Sequence, residues 1–444
     1  MDKAIPAGMI PVLEGLGSTL ARISRDRRDG SLAELESAVL EAVRGTLPGL
    51  LTEVVLEASS SIRLAEAGIK ASCPECGART GAQSWRWRTV LTVCGRVSFE
   101  RPYYVCSECG HGWSPVDDSL ELESRARLSP GMLEWLIQLG GSSTSFIDAA
   151  GVLKKLTGLK VSPETVRLRT EERGELLEEM EEAPIAQVVR TQEPAGELDR
   201  APGRLVVETD GVMVRYLDGW HEVKLGLLGG YVDGELVAPS YVASRESAES
   251  FGPRLLAEAA RRGALEVLSW QGSVAGPGLA ELPEVVVLGD GAHWIWNLAA
   301  DYFGRRTEIV DFYHASEHIW VVAKALYGEG TAAAKLWADR QIGDLLEEGI
   351  EPLLEALNQA VAPTSQAAEA LRRERDYFRS NAHRMEYPAF RAQGLPIGSG
   401  AIESAAKHLV QQRFKRPGAR WSEPGAQAVL AVTCRLVSQR PLAA

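Results

Sequence analysis

The sequence predicts a multidomain α+β protein: a mixed α/β core with an all-helical insertion, preceded by a cysteine-bearing ribbon and a helical region. Three observations lead there. Two Cys-x-x-Cys-Gly knuckles, at 73–77 and 106–110, flank a stretch of strand character. Apolar residues recur at helical spacing upstream of them, as in Leu32, Leu35, Val39, Leu40 and Val43, and again over 129–182. Beyond residue 203 short apolar runs alternate with helical ones, and a long helical tract follows. The 444 residues fit about three domains.

Residues 1–70 read as a helical N-terminal region and 71–115 as the ribbon. Thiolates suit tetrahedral zinc, and two matched knuckles supply four ligands, Cys73, Cys76, Cys106 and Cys109, with a glycine closing each tight turn. A closed four-thiolate site leaves no position for water, so this zinc is expected to be structural. Between the knuckles, 86–93 and 96–104 read as two strands around a turn at Cys94-Gly95, which puts Cys94 at the far tip. Cys434, on an apolar stripe, reads as core. Trp85, Arg86, Trp87, Arg88, Arg101 and Tyr103 are expected to be exposed on the ribbon. That mixture suits phosphate and base contacts, and equally a hairpin packed on a neighbour.

The region 125–182 predicts a helix over 143–156, a turn containing Gly158, and a second helix capped by Ser162 with Pro163 at its first position. This is a helix-turn-helix-like arrangement, which would bring Thr165, Arg167 and Arg169 near a major groove; an ordinary helical hairpin has the same spacing. From Glu171 to Asp199 ten acidic residues face only Arg173 and Arg190, and prolines and glycines break the stretch, so 183–203 reads as a linker.

The core is expected over 204–323, a helical insertion over 324–390, and closing helices with a basic C-terminus over 391–444. Strands at 204–216, 221–232 and 236–244, a helix at 246–262, and strands at 285–288 and 308–311 give a mixed sheet. Asp210 and Asp290 each close an apolar strand and precede a glycine, so both carboxylates are expected at the sheet's rim, although aspartate is also a common turn residue. Glu403 follows the glycine-rich turn at 398–400, near the third position of a helix, where it could also serve as a capping-box partner. Strand-Asp, strand-Asp, helix-Glu is the order of an RNase H-like nuclease, and three hard carboxylates are what two Mg2+ ions (or Mn2+) need beside a phosphodiester.

These blocks resemble bacterial insertion-sequence transposases of the ISKra type. The resemblance rests on Asp210-Gly-Val-Met-Val, Trp220-His-Glu-Val-Lys224-Leu-Gly, Gly289-Asp-Gly-Ala-His-Trp294-Ile-Trp296, Asp311-Phe-Tyr-His314-Ala-Ser-Glu317-His318, Arg384-Met-Glu-Tyr-Pro388 and Pro396-Ile-Gly-Ser-Gly-Ala-Ile-Glu403. The knuckles and Leu128-Ser-Pro-Gly-Met extend it, so that it covers about residues 70–435. It implies a DDE transposase with Asp210, Asp290 and Glu403 as the metal-binding triad, cutting insertion-sequence ends and joining them to target DNA. It also implies that Asp311 and His314 form an Asp-x-x-His element beside the triad. His314 and His318 could contact a phosphate or orient a metal ligand, or belong to a strand-to-helix cap with Asp311 as acceptor. Lys224, His293, Lys407 and Arg413 are candidate phosphate contacts or surface charges, with Lys415 and Arg416 beside them, and Trp294, Trp296, Trp320 and Trp337 read as core. A nuclease without strand transfer and a non-catalytic DNA-binding regulator are the alternatives.

The partners expected are therefore double-stranded DNA and further copies of the chain, at a cytoplasmic, nucleoid-associated location. Residues 1–6 lack a basic stretch followed by an apolar core, so a secretory signal is not expected, and no run is long enough for a membrane span. The formal charge of −12 argues against nucleic acid only as an average, because seven basic residues against Glu423 gather beyond Ser404.

Overall fold

The chain divides into two units, Met1–Thr170 and Glu171–Ala444. The computed structural model describes residues 5–27, 30–123, 125–191, 193–196, 198–264 and 285–442. The first four residues, and the stretch 265–284 of the expected core, lie outside these. No helix among the described residues is long and apolar enough to cross a membrane.

In the first unit, helices α1 (Met9–Asp26), α2 (Leu32–Ala58) and α3 (Ser60–Glu66) precede the cysteine module. Ser31 and Glu34 form a reciprocal capping box at the start of α2. Two short strands, β1 (Ala71–Ser72) and β2 (Arg79–Thr80), pair with each other, and the hairpin β3 (Ser84–Thr92) and β4 (Gly95–Val105) adds β5 (Gly112–Trp113) at its edge. Val55 of α2 and Ile62 of α3 share a core with Val90, Val97, Phe99 and Val116. The helical N-terminus and the ribbon are thus one packed body, not two domains. After α4 (Pro115–Ser119), α5 (Pro130–Ser142), α6 (Phe146–Thr157) and the start of α7 (Pro163–Thr191) bury Met132, Leu136, Leu153 and Val166 together. Each such side chain contributes about 1.5–3 kcal/mol, which is enough to hold short helices that would be marginal alone.

The linker expected at 183–203 is helical as far as Thr191 and contains Pro184. Tertiary packing overrides the proline here, because Val188 is buried against Leu256 and Ala260. The unit boundary accordingly falls after Thr170, inside the sequence of α7, and not at 183–203.

The second unit is built on a five-stranded mixed sheet. Strands β6 (Arg204–Tyr216), β7 (Gly219–Val232) and β8 (Glu235–Ser244) form an antiparallel meander; β9 (Val285–Gly289) and β10 (Arg306–Val310) lie parallel to β6 on its other side. The spatial order is β10-β9-β6-β7-β8. Strand β9 is a continuous apolar run, buried throughout because both its faces are covered, whereas β10 at the sheet edge opens with partly buried Arg306, Thr307 and Glu308. Helix α8 (Ala248–Arg261) follows β8, and α9 (His293–Tyr302) joins β9 to β10.

The tract beyond is helical as expected: α10 (Phe312–Tyr327), α11 (Ala332–Glu347), α12 (Ile350–Gln359), α13 (Ser365–Asn381) and α14 (Tyr387–Ala392). It has no separate core. Leu345, Leu353, Leu371 and Phe378 belong to the same buried cluster as Val206, Val286 and Ile309 of the sheet. Trp296 is buried, Trp294, Trp320 and Trp337 pack against that cluster, and Cys434 is buried, all as read from sequence. Helix α15 (Gly400–Ala405) continues through a π-helical turn, Ala406–Gln411, into α16 (Gln412–Phe414), and α17 (Glu423–Val437) packs on β8.

Candidate functional site

The four cysteines converge. Cys73 Sγ lies 3.6 Å from Cys109 Sγ, and Cys76 Sγ lies 3.5 Å from Cys106 Sγ. All four sulfurs fall within 4.8 Å of one another. Each knuckle turns as its sequence requires: Gly77 N–H donates to Cys73 O and Gly110 N–H to Cys106 O, with φ of 76° and 75°. The Cys109 amide, against the effect of burial and helped by the Glu108 amide, brings the Cys106 thiol down to about 6. Four thiols at this spacing are compatible with a structural Zn2+ ion. Cys94, half-buried in the β3–β4 turn, stands apart from them.

The rim of the large sheet gathers carboxylates. Glu208 of β6 is level with Leu288 of β9, so two residues further along each strand Asp210 stands level with Asp290. Val310 of β10 is level with Gly289, which places Asp311 level with Asp290 in turn. Three neighbouring parallel strands thus each bring an aspartate to one edge. Strand β6 runs to Tyr216 as expected, paired with β7 throughout; Asp210 closes its apolar run and not the strand, and the pairing with β9 ends at Glu208. The two following glycines therefore differ in purpose. Gly291 turns the chain at φ 98°, whereas Gly211 stays in the strand, where a Cβ would lie 2.1 Å from Glu222 Oε1.

Glu403 reaches this edge from α15. Ser399, which precedes the helix, makes no side-chain cap, so the capping-box role is not realised. Instead Glu208 Oε2 accepts from Ile402 N at 2.9 Å, and Asp311 accepts from both Ser399 N and His314 N. Two buried carboxylates on the sheet thus fix the helix that carries Glu403, while Glu403 itself is exposed. Burial pushes the Asp210 carboxyl above its ordinary value; Gly211 N–H opposes this, and the charges of Asp290, Glu403 and Glu222 add to it. Burial likewise raises Glu208 to about 7, against the Ile402 amide and with Asp311 and Glu403 adding. Residues far apart in sequence are therefore electrostatic neighbours. Among the described residues, however, only the four cysteines bring three or more ligand atoms within 4.8 Å; Asp210, Asp290 and Glu403 stand wider.

A second cluster lies on α10 and α13. His318 Nδ1 is 2.5 Å from Glu374 Oε2, and His318 Nε2 is 3.3 Å from His314 Nε2. Tyr377 stacks on His318 with ring centroids 3.9 Å apart, and its hydroxyl donates to Asp290 O at 3.2 Å. Burial opposes the charge on Glu374, but His318 and Arg373 hold its carboxyl below the ordinary value.

The expected DNA contacts separate by burial. Arg86 is exposed and lies 3.6 Å from the Tyr103 ring centroid, beside exposed Trp85 and Trp87. Arg88 and Arg101, expected on that surface, are buried: Arg101 bonds to Asp117 at 2.6 Å and Arg88 donates to Glu123 O. Thr165 is tied to Ser162, whose hydroxyl caps α7, and Arg167 forks onto Glu164 at 2.9 and 2.6 Å; Arg169 is half-buried. Lys224 is buried, with its Nζ 2.9 Å from Glu222 and 5.5 Å from the Trp294 ring centroid. Arg413 is also buried, near Trp421, and burial brings its guanidinium down to about 10. Neither Lys224 nor Arg413 presents the open phosphate contact expected. His293, Lys407, Lys415 and Arg416 are exposed.

Sequence reasoning missed Glu208, Glu374 and Tyr377. Glu208 had a signal, a charge inside an apolar strand on the same face as Asp210. Glu374 and Tyr377 had none, because they stand in a run of charged residues on an amphipathic helix.

Residues 31–224 match the model of an uncharacterised protein family, UPF0236. No curated protein matches the chain. Among solved structures, one described as "Crystal structure of NurA" is 12% identical, with a TM-score of 0.11; the match covers 59% of this chain and 60% of that one, less than two thirds of its length.

Proposed function

We propose that this chain is a metal-dependent DNA transposase with an RNase H-like core, in which Asp210, Asp290 and Glu403 hold Mg2+ at the rim of the sheet. One observation carries the reading: the strand register brings Asp210 and Asp290 to one edge of the sheet, where Glu208 anchors the helix carrying Glu403, and the charges of Asp290 and Glu403 add to the burial that raises the Asp210 carboxyl. The strand order, with the first strand central between an antiparallel meander and two parallel strands, supports the same reading.

Carboxylate oxygens are hard donors, which fits Mg2+, and their mutual repulsion is relieved by a divalent cation. Bound there, Mg2+ would supply charge stabilisation and nucleophile activation at a phosphodiester. The protein's own part is positioning. Glu208 and Asp311 hold the loop and helix that carry Glu403, and Tyr377 ties α13 to the Asp290 main chain. The helix-turn-helix-like α6–α7 pair and the ribbon, with exposed Trp85 and Trp87 on one face of β3 and Arg86 on the other, would hold DNA ends. Incubating the full chain with insertion-sequence ends, a target plasmid and Mg2+ tests this. Nicked ends and joined products are expected; cutting without joining would identify a nuclease, and metal-independent binding without cutting would identify a regulator.

A further inference from the structure

We infer that His314 and His318 form a second metal site, distinct from the carboxylate rim, which takes a borderline transition-metal ion such as Zn2+ through their two Nε2 atoms. The pair stands at i and i+4 on the first turns of α10, so both rings project from one face. Their Nε2 atoms are 3.3 Å apart. Two imidazole nitrogens on a tetrahedral Zn2+, each about 2.0–2.1 Å from the ion, are separated by about 3.3–3.4 Å, so the rings already stand at the required spacing.

The surroundings choose the tautomer. An ionised Glu374 carboxylate only accepts, so His318 Nδ1 carries the hydrogen at 2.5 Å and Nε2 presents its lone pair. This carboxylate–imidazole pairing is the one that orients histidine ligands and raises their basicity. On the other ring, His314 Nδ1 lies 3.6 Å from the exposed Glu317 carboxylate, beyond hydrogen-bonding reach, so without a cation His314 Nε2 carries the hydrogen and donates to His318 Nε2. A cation between the rings takes the place of that Nε2–H···Nε2 hydrogen bond, and the displaced hydrogen moves to His314 Nδ1 on the side of Glu317. Tyr377, stacked on His318, prevents that ring from turning away. Glu374 is buried whereas His314 is half-exposed, so the site is braced from within and open outward. With two protein ligands, the remaining positions belong to water or to oxygens of a bound molecule. Imidazole nitrogen favours Zn2+ over Mg2+, which separates this site chemically from the carboxylates.

The site does not depend on the transposase reading, and the test keeps the two apart. Zn2+ binding to the full chain is measured by titration calorimetry and by dialysis with metal analysis. The wild type is expected to bind one equivalent more than His314→Gln or His318→Gln, with far-UV spectra and thermal transitions confirming that both variants fold. Glu374→Gln should keep the equivalent but bind it about 10-fold more weakly or worse, and it carries the test if a histidine variant fails to fold. Asp210→Asn and Glu403→Gln should leave the equivalent intact. Equal stoichiometry in the wild type and the histidine variants overturns the inference, as does loss of the equivalent in Asp210→Asn. Failure to cut DNA would count against the proposed function alone.

Discussion

The cysteine cluster and the carboxylate rim are both built from side chains of types that can ligate a metal, yet only the cysteines close to within 4.8 Å among the described residues. The difference follows from charge. The thiols divide the charge unequally, Cys106 pulled down and Cys76 pushed up, so they approach closely, and the knuckle turns set their spacing. Carboxylates at the same spacing repel, and burial raises that cost, as the upward shift of Asp210 records. A set that stays partly protonated closes to within 4.8 Å, whereas the carboxylates stand wider.

The most severe way to break this comparison is to remove charge from the rim. Asp210→Asn, Asp290→Asn and Glu403→Gln should each lower end cleavage by about 10³-fold or more, with folding intact. They should also make the unit more stable to heat in the absence of divalent cation, since one repelling charge is gone. Near-normal cleavage by Glu403→Gln would remove Glu403 from the site.

The opposite result is expected at the cysteines. Cys73→Ser or Cys106→Ser should leave the rim's chemistry untouched while costing the first unit several kcal/mol of stability, because metal-binding energy there is folding energy. Two-transition thermal unfolding, with and without a chelator, measures it. A chelator that shifts neither transition would mean that the cluster carries no structural metal.

The two regions also differ in how far the sequence revealed them. The cysteine knuckles are local motifs, each closed by its own glycine, so ligand identity and turn geometry were both readable. Strands β6 and β9 were readable from apolar runs that end in turn residues, and the full extent of β6 to Tyr216 was readable as well; where its pairing with β9 stops was not, because that depends on a neighbouring strand and not on its own composition. The shared core of sheet and helical tract was equally hidden: an amphipathic helix shows that it has a buried face, not what covers it. Glu374 shows the same limit at the site, since a partner for His318 that is 56 residues away leaves no local pattern. Likewise Arg88, Lys224 and Arg413 look like surface cations in sequence, and only tertiary packing buries them.

Within the second unit, Glu258 sharpens the argument about charge. It is as buried as Glu208, but Arg261 at 2.5 Å and Arg440 at 3.3 Å surround it. Burial works against its charge, and the two arginines outweigh burial and hold its carboxyl below the ordinary value. A depressed carboxyl contributes stability that is present above the ordinary carboxylate range and is lost as pH falls through the folded-state value. Glu258→Gln should therefore cost about 2–3 kcal/mol at pH 7, less than a fully isolated pair, because Arg261 keeps Asp199 and Arg440 keeps Glu181. The deficit should shrink in acid. Urea unfolding at pH 7 and pH 3.5 checks the sign; a deficit that grows in acid would contradict the pairing.

The smallest effects should separate open cations from buried ones. Lys407 and Lys415 are exposed beyond Glu403, whereas Arg413, between them in sequence, is buried near Trp421. If DNA passes along this face, each open lysine releases counterions on binding, so Lys407→Ala and Lys415→Ala should each reduce the slope of log affinity against log salt by about 1. Arg413→Ala should leave that slope unchanged and lower the thermal transition, since its loss empties a packed position rather than a phosphate contact. A slope change from Arg413→Ala equal to that of its neighbours would mean that the arginine turns outward on DNA. The contrast therefore depends on burial and not on charge count, which is identical for the three substitutions.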